Sequence, residues 1–342
     1  MAQFGELHTG TNPQRLRSRK PSTIRKRRTQ SMQLVQRHVA SGRHLLGLGM
    51  ALLTALMWGA LPVILKVLLS DIDPYTLTWC RFVAALCIVG PLAARRGELR
   101  PLLELRTGAR MLLIVCTLCM TGNFALYLAG LRAVPPSAAQ IVMQLSPVFV
   151  LLGGLIIFRE PFARVQSLGV IGLFVGMALF FNQRYEELFS GMSSRYAHGL
   201  LTIALSSFLW STFSLTQKQL LSYASGRALL TVSYSTGIAV LVPFIDLNGL
   251  THFSLSHYML FAVSVALTLC SYLTFAEALR HLEASRTGVV VALTPLLTVA
   301  MAALAALFTD QVETEPLNAL ALLGALLVVA GSTATSLGKR ST

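Results

Sequence analysis

From Leu45 to Leu337 the chain alternates between long apolar runs and short polar breaks. The runs cover residues 45–69, 75–94, 111–130, 137–158, 165–181, 199–221, 228–247, 258–279, 287–308 and 317–337. Each is roughly 17–25 residues long, the length a helix needs to cross the hydrocarbon core of a bilayer. Apolar residues are continuous within the runs rather than alternating, so transmembrane β-strands are excluded. The pattern predicts an all-α polytopic membrane protein with ten transmembrane helices.

Composition points the same way. The 342 residues are 54% hydrophobic and 12% charged, where a soluble domain is about one-quarter charged. With a mean hydropathy of +0.65, a cytosolic enzyme, a disordered chain and a small disulfide scaffold are all ruled out.

The net charge of +14 is concentrated at one end. Residues 1–44 hold ten Lys and Arg against the single acid Glu6. This basic tail is expected to be disordered and cytoplasmic. Without interleaved aromatics it suits anionic lipid headgroups rather than nucleic acid. Its Arg- and Ser-rich make-up also fits an organellar transit peptide. No cleavable signal peptide is expected, because the first apolar run is too long and begins too late.

With the tail in the cytoplasm, the breaks place 22 Lys and Arg on that side and three (Arg132, Arg184, Arg195) on the other. The bias predicts a multi-pass protein of the cell or inner membrane with both termini cytoplasmic. The cysteines, Cys80, Cys87, Cys116, Cys119 and Cys270, all lie in apolar runs. Cys116 and Cys119 read as small residues at a packing face before a metal or redox pair.

The chain is duplicated. Trp58, Lys66, Leu68, Leu69 and Ser70 recur as Trp210, Lys218, Leu220, Leu221 and Ser222. Leu131-Arg132 and Pro147 recur as Leu279-Arg280 and Pro295. Glu160-Pro161, Gly169 and Gly176 recur as Glu315-Pro316, Gly324 and Gly331. The repeats are expected at 45–183 and 199–337, with five runs each. An odd number of crossings makes the second repeat enter from the opposite side, so the two are expected to be inverted.

At these residues the chain resembles the EamA family of the drug/metabolite transporter superfamily. The likeness rests on Trp58 and Trp210, Arg81-Phe82, the stretch Asn123-x3-Tyr127-x2-Gly130-Leu131, Pro147 and Pro295, and Glu160-Pro161-x4-Gln166-x2-Gly169. It implies a ten-helix transporter, often an exporter of amino acids, metabolites or drugs, with a central cavity lined by both halves. Arg81 has no counterpart in the second half, where Ser233 stands, and no Glu follows Phe308 directly.

Candidate cavity residues are Trp58, Arg81, Asn123, Tyr127, Gln140, Gln144, Trp210 and Tyr272. Gln140 and Gln144 share a helix face one turn from Pro147, which frees a backbone carbonyl. Pro147 and Pro295 are the expected helix-break positions, with Ser285, Thr287 and Thr294 around the latter. Helix–helix hydrogen bonding is the rival role for the amides, and interhelical packing that for the aromatics.

Lys66 and Arg81 lie toward the far side, where both would draw anionic or carboxylate groups into a vestibule. Alternatively Lys66 snorkels and Arg81 bonds backbone carbonyls, Asp71 or Asp73. Glu277 is the acid within a run. Lys66 and Glu277 are the coupling candidates, Glu277 as a proton carrier. The rival pairs Glu277 with Lys218 or Arg280 as a latch. Gly169, Gly172 and Gly176, like Gly324 and Gly331, mark close helix packing before a dimer interface. Glu160 and Glu315 suit helix starts.

The expected function is secondary transport, and export, of a small organic solute by alternating access. The sequence has no P-loop, cofactor motif, metal-ligand spacing or catalytic triad. Partners are the solute and membrane lipid, with the chain a monomer or a homodimer. The alternative is an intramembrane enzyme acting on a lipid-linked substrate.

Overall fold

A computed structural model describes residues 43–157, 163–189, 194–251, 253–282 and 284–337. The basic tail up to residue 42 and the Glu160-Pro161 pair therefore lie outside the described residues. So do the side chains of Arg280 and Ser285.

The spanning helices are α1 (His44–Leu68), α2 (Pro74–Arg95), α3 (Thr107–Ala133), α5 (Arg164–Phe180), α6 (Arg195–Leu220), α7 (Gly226–Leu241), α8 (Leu255–His281) and α10 (Ala319–Ser336), with two broken ones between them. These are α4a (Pro136–Met143) with α4b (Ser146–Ile157), and α9a (Ala284–Val291) with α9b (Thr294–Ala305). Among the described residues nine spans are long and apolar enough alone. The tenth, α5, qualifies only with the following segment 182–188, across a 53° bend. No strand occurs among the described residues. The protein is an all-α, multi-pass membrane protein.

Local chemistry sets the helix ends. Asp73 accepts from the backbone N–H of Tyr75 (2.9 Å) and Thr76 (3.0 Å), with Pro74 in the first turn of α2. Ser225 caps α7 and Asn318 caps α10 in the same way. Leu168, Ile171 and Phe174 on α5 and Leu322, Leu323 and Leu326 on α10 face outward. Buried hydroxyls such as Thr54, Ser206, Ser207, Ser211 and Thr298 face inward. Lipid tails are as apolar as leucine, so helices here are joined by hydrogen bonds and close packing of small residues.

The helix contacts come in exchanged pairs. Gly47 of α1 abuts Leu282 after α8, while Gly199 of α6 abuts Val134 after α3. Thr54 hydrogen-bonds Thr274 (2.8 Å), and Ser206 hydrogen-bonds Asn123. α1 therefore runs antiparallel to α8, and α3 antiparallel to α6. Between α5 and α10, Gly169 meets Gly331 and Gly176 meets Gly324. Both glycine faces are thus occupied within the chain, each helix by the other.

The breaks fall one turn before the prolines. Pro147 and Pro295 have no N–H for the carbonyls four residues back, Met143 and Val291, and those residues end α4a and α9a. Tight turns Leu145 N–H to Val142 C=O (3.0 Å) and Leu293 N–H to Val290 C=O (3.1 Å) follow there. Two expectations change. Glu315 does not start a helix. Buried to 6% exposure, it accepts from Tyr196 Oη (2.5 Å) and Arg184 Nε (3.1 Å). It ties the α5–α6 connection to the entry of α10.

The second concerns Lys66, which does not border the cavity described below. It is 8% exposed, and its ammonium donates to the carbonyls of Leu131 (3.1 Å), Arg132 (3.2 Å) and Val134 (3.0 Å). Glu313 lies 3.7 Å away. A cation placed on orphan carbonyls satisfies the C-terminus of α3 and complements its dipole.

Candidate functional site

The two helix breaks face each other. Gln144 Nε2, in the first break, donates to the carbonyl of Ala292 in the second (3.4 Å). Its Oε1 accepts from Ser332 of α10 (3.3 Å). Gln140, one turn earlier, donates to the carbonyl of Trp58 on α1 (3.2 Å). Backbone freed from regular helix is tolerated at membrane depth where it lines a cavity or meets neighbouring donors.

A cavity of about 310 Å³ opens beside this junction. α1 contributes Trp58, Leu61, Pro62 and Leu65; α2 contributes Arg81; α3 contributes Asn123, Phe124, Tyr127 and Leu128. The α4 break adds Gln140, Met143, Gln144, Ser146 and Pro147. From the second half come Trp210, Tyr272, Val291 and Thr294. The structure thus brings the eight candidate cavity residues to the lining of one cavity, with Pro147 among them. Pro295 and Glu277 are not in this lining.

Several of these residues also hold the bundle. Asn123 Nδ2 donates to the carbonyl (3.0 Å) and hydroxyl (2.9 Å) of Ser206, and the Ser206 hydroxyl donates back to the Asn123 carbonyl. That clamp fixes α3 against α6. Trp58 packs on Tyr272 edge to face at 6.0 Å and on Phe275 at 5.5 Å, joining α1 to α8.

Arg81 is the charged residue of the wall, 5% exposed. One terminal guanidinium nitrogen donates to Thr268 Oγ1 of α8 (2.7 Å), and Cζ lies 5.7 Å from the Phe124 ring centroid. Its Nε has no partner among the described residues, and neither have Tyr127 Oη and Trp79 Nε1. Neither Asp71 nor Asp73 pairs with it: Asp71 meets His257 (2.8 Å), and Asp73 caps α2.

Thr268 and Phe124 were not singled out from the sequence. Thr268 stands one helical turn before Tyr272, so the two share a face. Phe124 directly follows Asn123. Glu277 hydrogen-bonds His281 Nε2, four residues on (3.0 Å). Among the described residues no cluster of three or more His, Cys, Asp or Glu could hold a metal ion.

The pattern of the EamA-like transporter family matches residues 45–182 and again 197–337. A Haemophilus influenzae protein named "Uncharacterized transporter" is 31% identical over 86% of this chain and 96% of its own length. The "Uncharacterized inner membrane transporter YhbE" of Escherichia coli K12 is 30% identical over 86% and 92%. A "Probable amino-acid metabolite efflux pump" of Salmonella typhimurium is 23% identical over 82% and 92%. One solved crystal structure shares the fold at a TM-score of 0.57 and 16% identity, covering 86% of this chain and 97% of that one. A repeated family match over most of the sequence, on a bundle whose two broken helices meet at a cavity, identifies the chain as a membrane transporter belonging to the EamA-like transporter family.

Proposed function

We propose that the protein exports a small organic solute, of the size of an amino acid or other metabolite, by alternating access of its central cavity. The observation that carries the reading is the Gln144–Ala292 junction, where the breaks of the two halves meet beside a cavity that both halves line. The volume of about 310 Å³ is at the small end of ligand pockets.

Two inverted five-helix repeats, about 45–183 and 199–337, account for the exchanged contacts. Under such a relation Gly47–Leu282 maps onto Gly199–Val134, and Gly169–Gly331 onto Gly324–Gly176. The breaks correspond as well, Leu145 to Leu293. Inversion supports transport because each half can take the other's conformation, which turns the opening from one face to the other. Outward direction is supported by the printed name of the Salmonella relative. The Lys/Arg bias supports cytoplasmic termini.

The eight cavity residues are the proposed solute contacts. Lys66 is tied to α3, so coupling falls to Glu277 and its partner His281. The test is efflux from proteoliposomes of purified full-length chain, screened over amino acids, organic acids and amphipathic drugs with an imposed pH gradient. The reading expects unmodified solute outside, and Gln144→Ala to slow its release severalfold. A chemically altered product would instead support the enzyme alternative. Glu277→Gln should abolish any pH dependence if that carboxylate carries the proton.

A further inference from the structure

The cavity wall carries a charge without a counter-charge. Arg81 is 5% exposed and borders the cavity, yet no described carboxylate pairs with it. Its neighbours are neutral: the Thr268 hydroxyl, the Phe124 ring and the Tyr127 phenol. A buried guanidinium is normally paired, because leaving water is costly without compensation. The repeat makes the point sharper. Ser233, which occupies the matching place in the second half, is neutral and 1% exposed. A structural role common to both halves would not call for a cation in one alone.

Two unmet donors belong to residues that line this cavity. One terminal nitrogen of Arg81 is engaged with Thr268, while the Nε–H edge has no partner. Tyr127 Oη, on the same cavity wall, is buried and equally without an acceptor. Guanidinium N–H groups match the two oxygens of a carboxylate in spacing and plane. Around them stand Trp58, Phe124, Trp210, Tyr272, Leu61 and Leu65, an apolar and largely aromatic enclosure.

Resting on the transport reading above, we propose that Arg81 is the specificity-determining contact and that the solute is a monocarboxylate with an apolar or aromatic body. The solute's carboxylate supplies the charge the cavity lacks, accepting from the free edge of Arg81 and from Tyr127. One fixed cation balances one carboxylate, whereas a phosphate monoester would bring about two negative charges. The cavity lining contains three amides and no carboxylate, so it favours anions over organic cations.

The test pairs acids with the amides that lack their carboxylate. Purified full-length chain is titrated with 3-phenylpropanoate and 3-phenylpropanamide, and with L-phenylalanine and L-phenylalaninamide. Binding is read by tryptophan fluorescence, and export by efflux from proteoliposomes. The acids are expected to bind roughly 30-fold or more tightly than the amides. Arg81→Gln should bring each pair within about twofold, and Arg81→Lys should keep the preference at lower affinity.

Amides that bind and move as well as the acids overturn the proposal and leave the transport reading standing. An Arg81→Gln chain that keeps the preference does the same, and so does an aryl phosphate that outcompetes 3-phenylpropanoate. If none of the four probes binds or moves, the proposal falls, and the wider solute screen decides the transport reading separately. The acid-to-amide comparison in the unmutated chain needs no variant to fold.

Discussion

Lys66 illustrates how one side chain can serve a helix it does not belong to. Its ammonium replaces the hydrogen bonds that the last carbonyls of α3 would otherwise lack. Lys66→Met removes the donor and leaves three buried acceptors unmet, a loss of about 1.5–3 kcal/mol. Thermal unfolding in detergent should show a lower midpoint, with Lys66→Arg intermediate. An unchanged midpoint would mean that water already satisfies those carbonyls. The sequence marked Lys66 as an unusual charge within an apolar run but gave no sign of its partners, which lie some 65 residues away. The Glu277–His281 spacing, by contrast, was present in the sequence. Arg280 and Lys218 are the more obvious partners there, because each carries a fixed charge. The eight cavity residues were legible because polar and aromatic groups in an apolar run need a special environment.

Besides hydroxyl, amide and aromatic contacts, glycine packing and a charged tie join elements of the bundle. At Gly176 an added Cβ would stand 2.6 Å from the backbone nitrogen of Val328 and 2.7 Å from the Gly324 carbonyl. Backbone cannot step aside as a side chain can, so Gly176→Ala should cost about 1–3 kcal/mol. At Gly172 the nearest atom would be 3.8 Å away, so Gly172→Ala should be neutral or gain up to about 1 kcal/mol from better helix propensity. Equal unfolding midpoints for the two variants would contradict the α5–α10 packing.

A charged tie joins the connection after α2 to the start of α7. Glu98 accepts from Arg227 and from Ser225 Oγ (2.6 Å). Those hydrogen bonds hold its carboxyl down to about 2 from the usual 4.5. A lowered value means that the ionised form is favoured in the folded state. The contribution is therefore complete above about pH 4.5 and fades as the pH falls toward 2. The midpoint difference between the native chain and Glu98→Gln should be constant above that window, shrink within it, and diminish with salt. A difference that persists unchanged at pH 2 would contradict the pairing. This tie was not legible in the sequence, since it depends on which connections the fold brings together.

For the molecule as a whole, the ten apolar runs and the duplicated motifs were plain in the chain, because bilayer thickness and repeat spacing are one-dimensional signals. So was the neighbourhood of the helix breaks, since each proline lacks the N–H that would bond the carbonyl four residues back. The meeting of the two breaks through Gln144 and Ala292 was not, because it depends on how the halves pack. The account rests on a cavity that opens to each side of the membrane in turn around the Gln144–Ala292 junction. The most direct measurement replaces the five native cysteines, introduces Gln144→Cys, and follows labelling by a membrane-impermeant maleimide in right-side-out and inside-out vesicles. The account predicts labelling from both faces, with a transported solute shifting the balance between them. Labelling from one face alone, whatever solute or gradient is imposed, would contradict it.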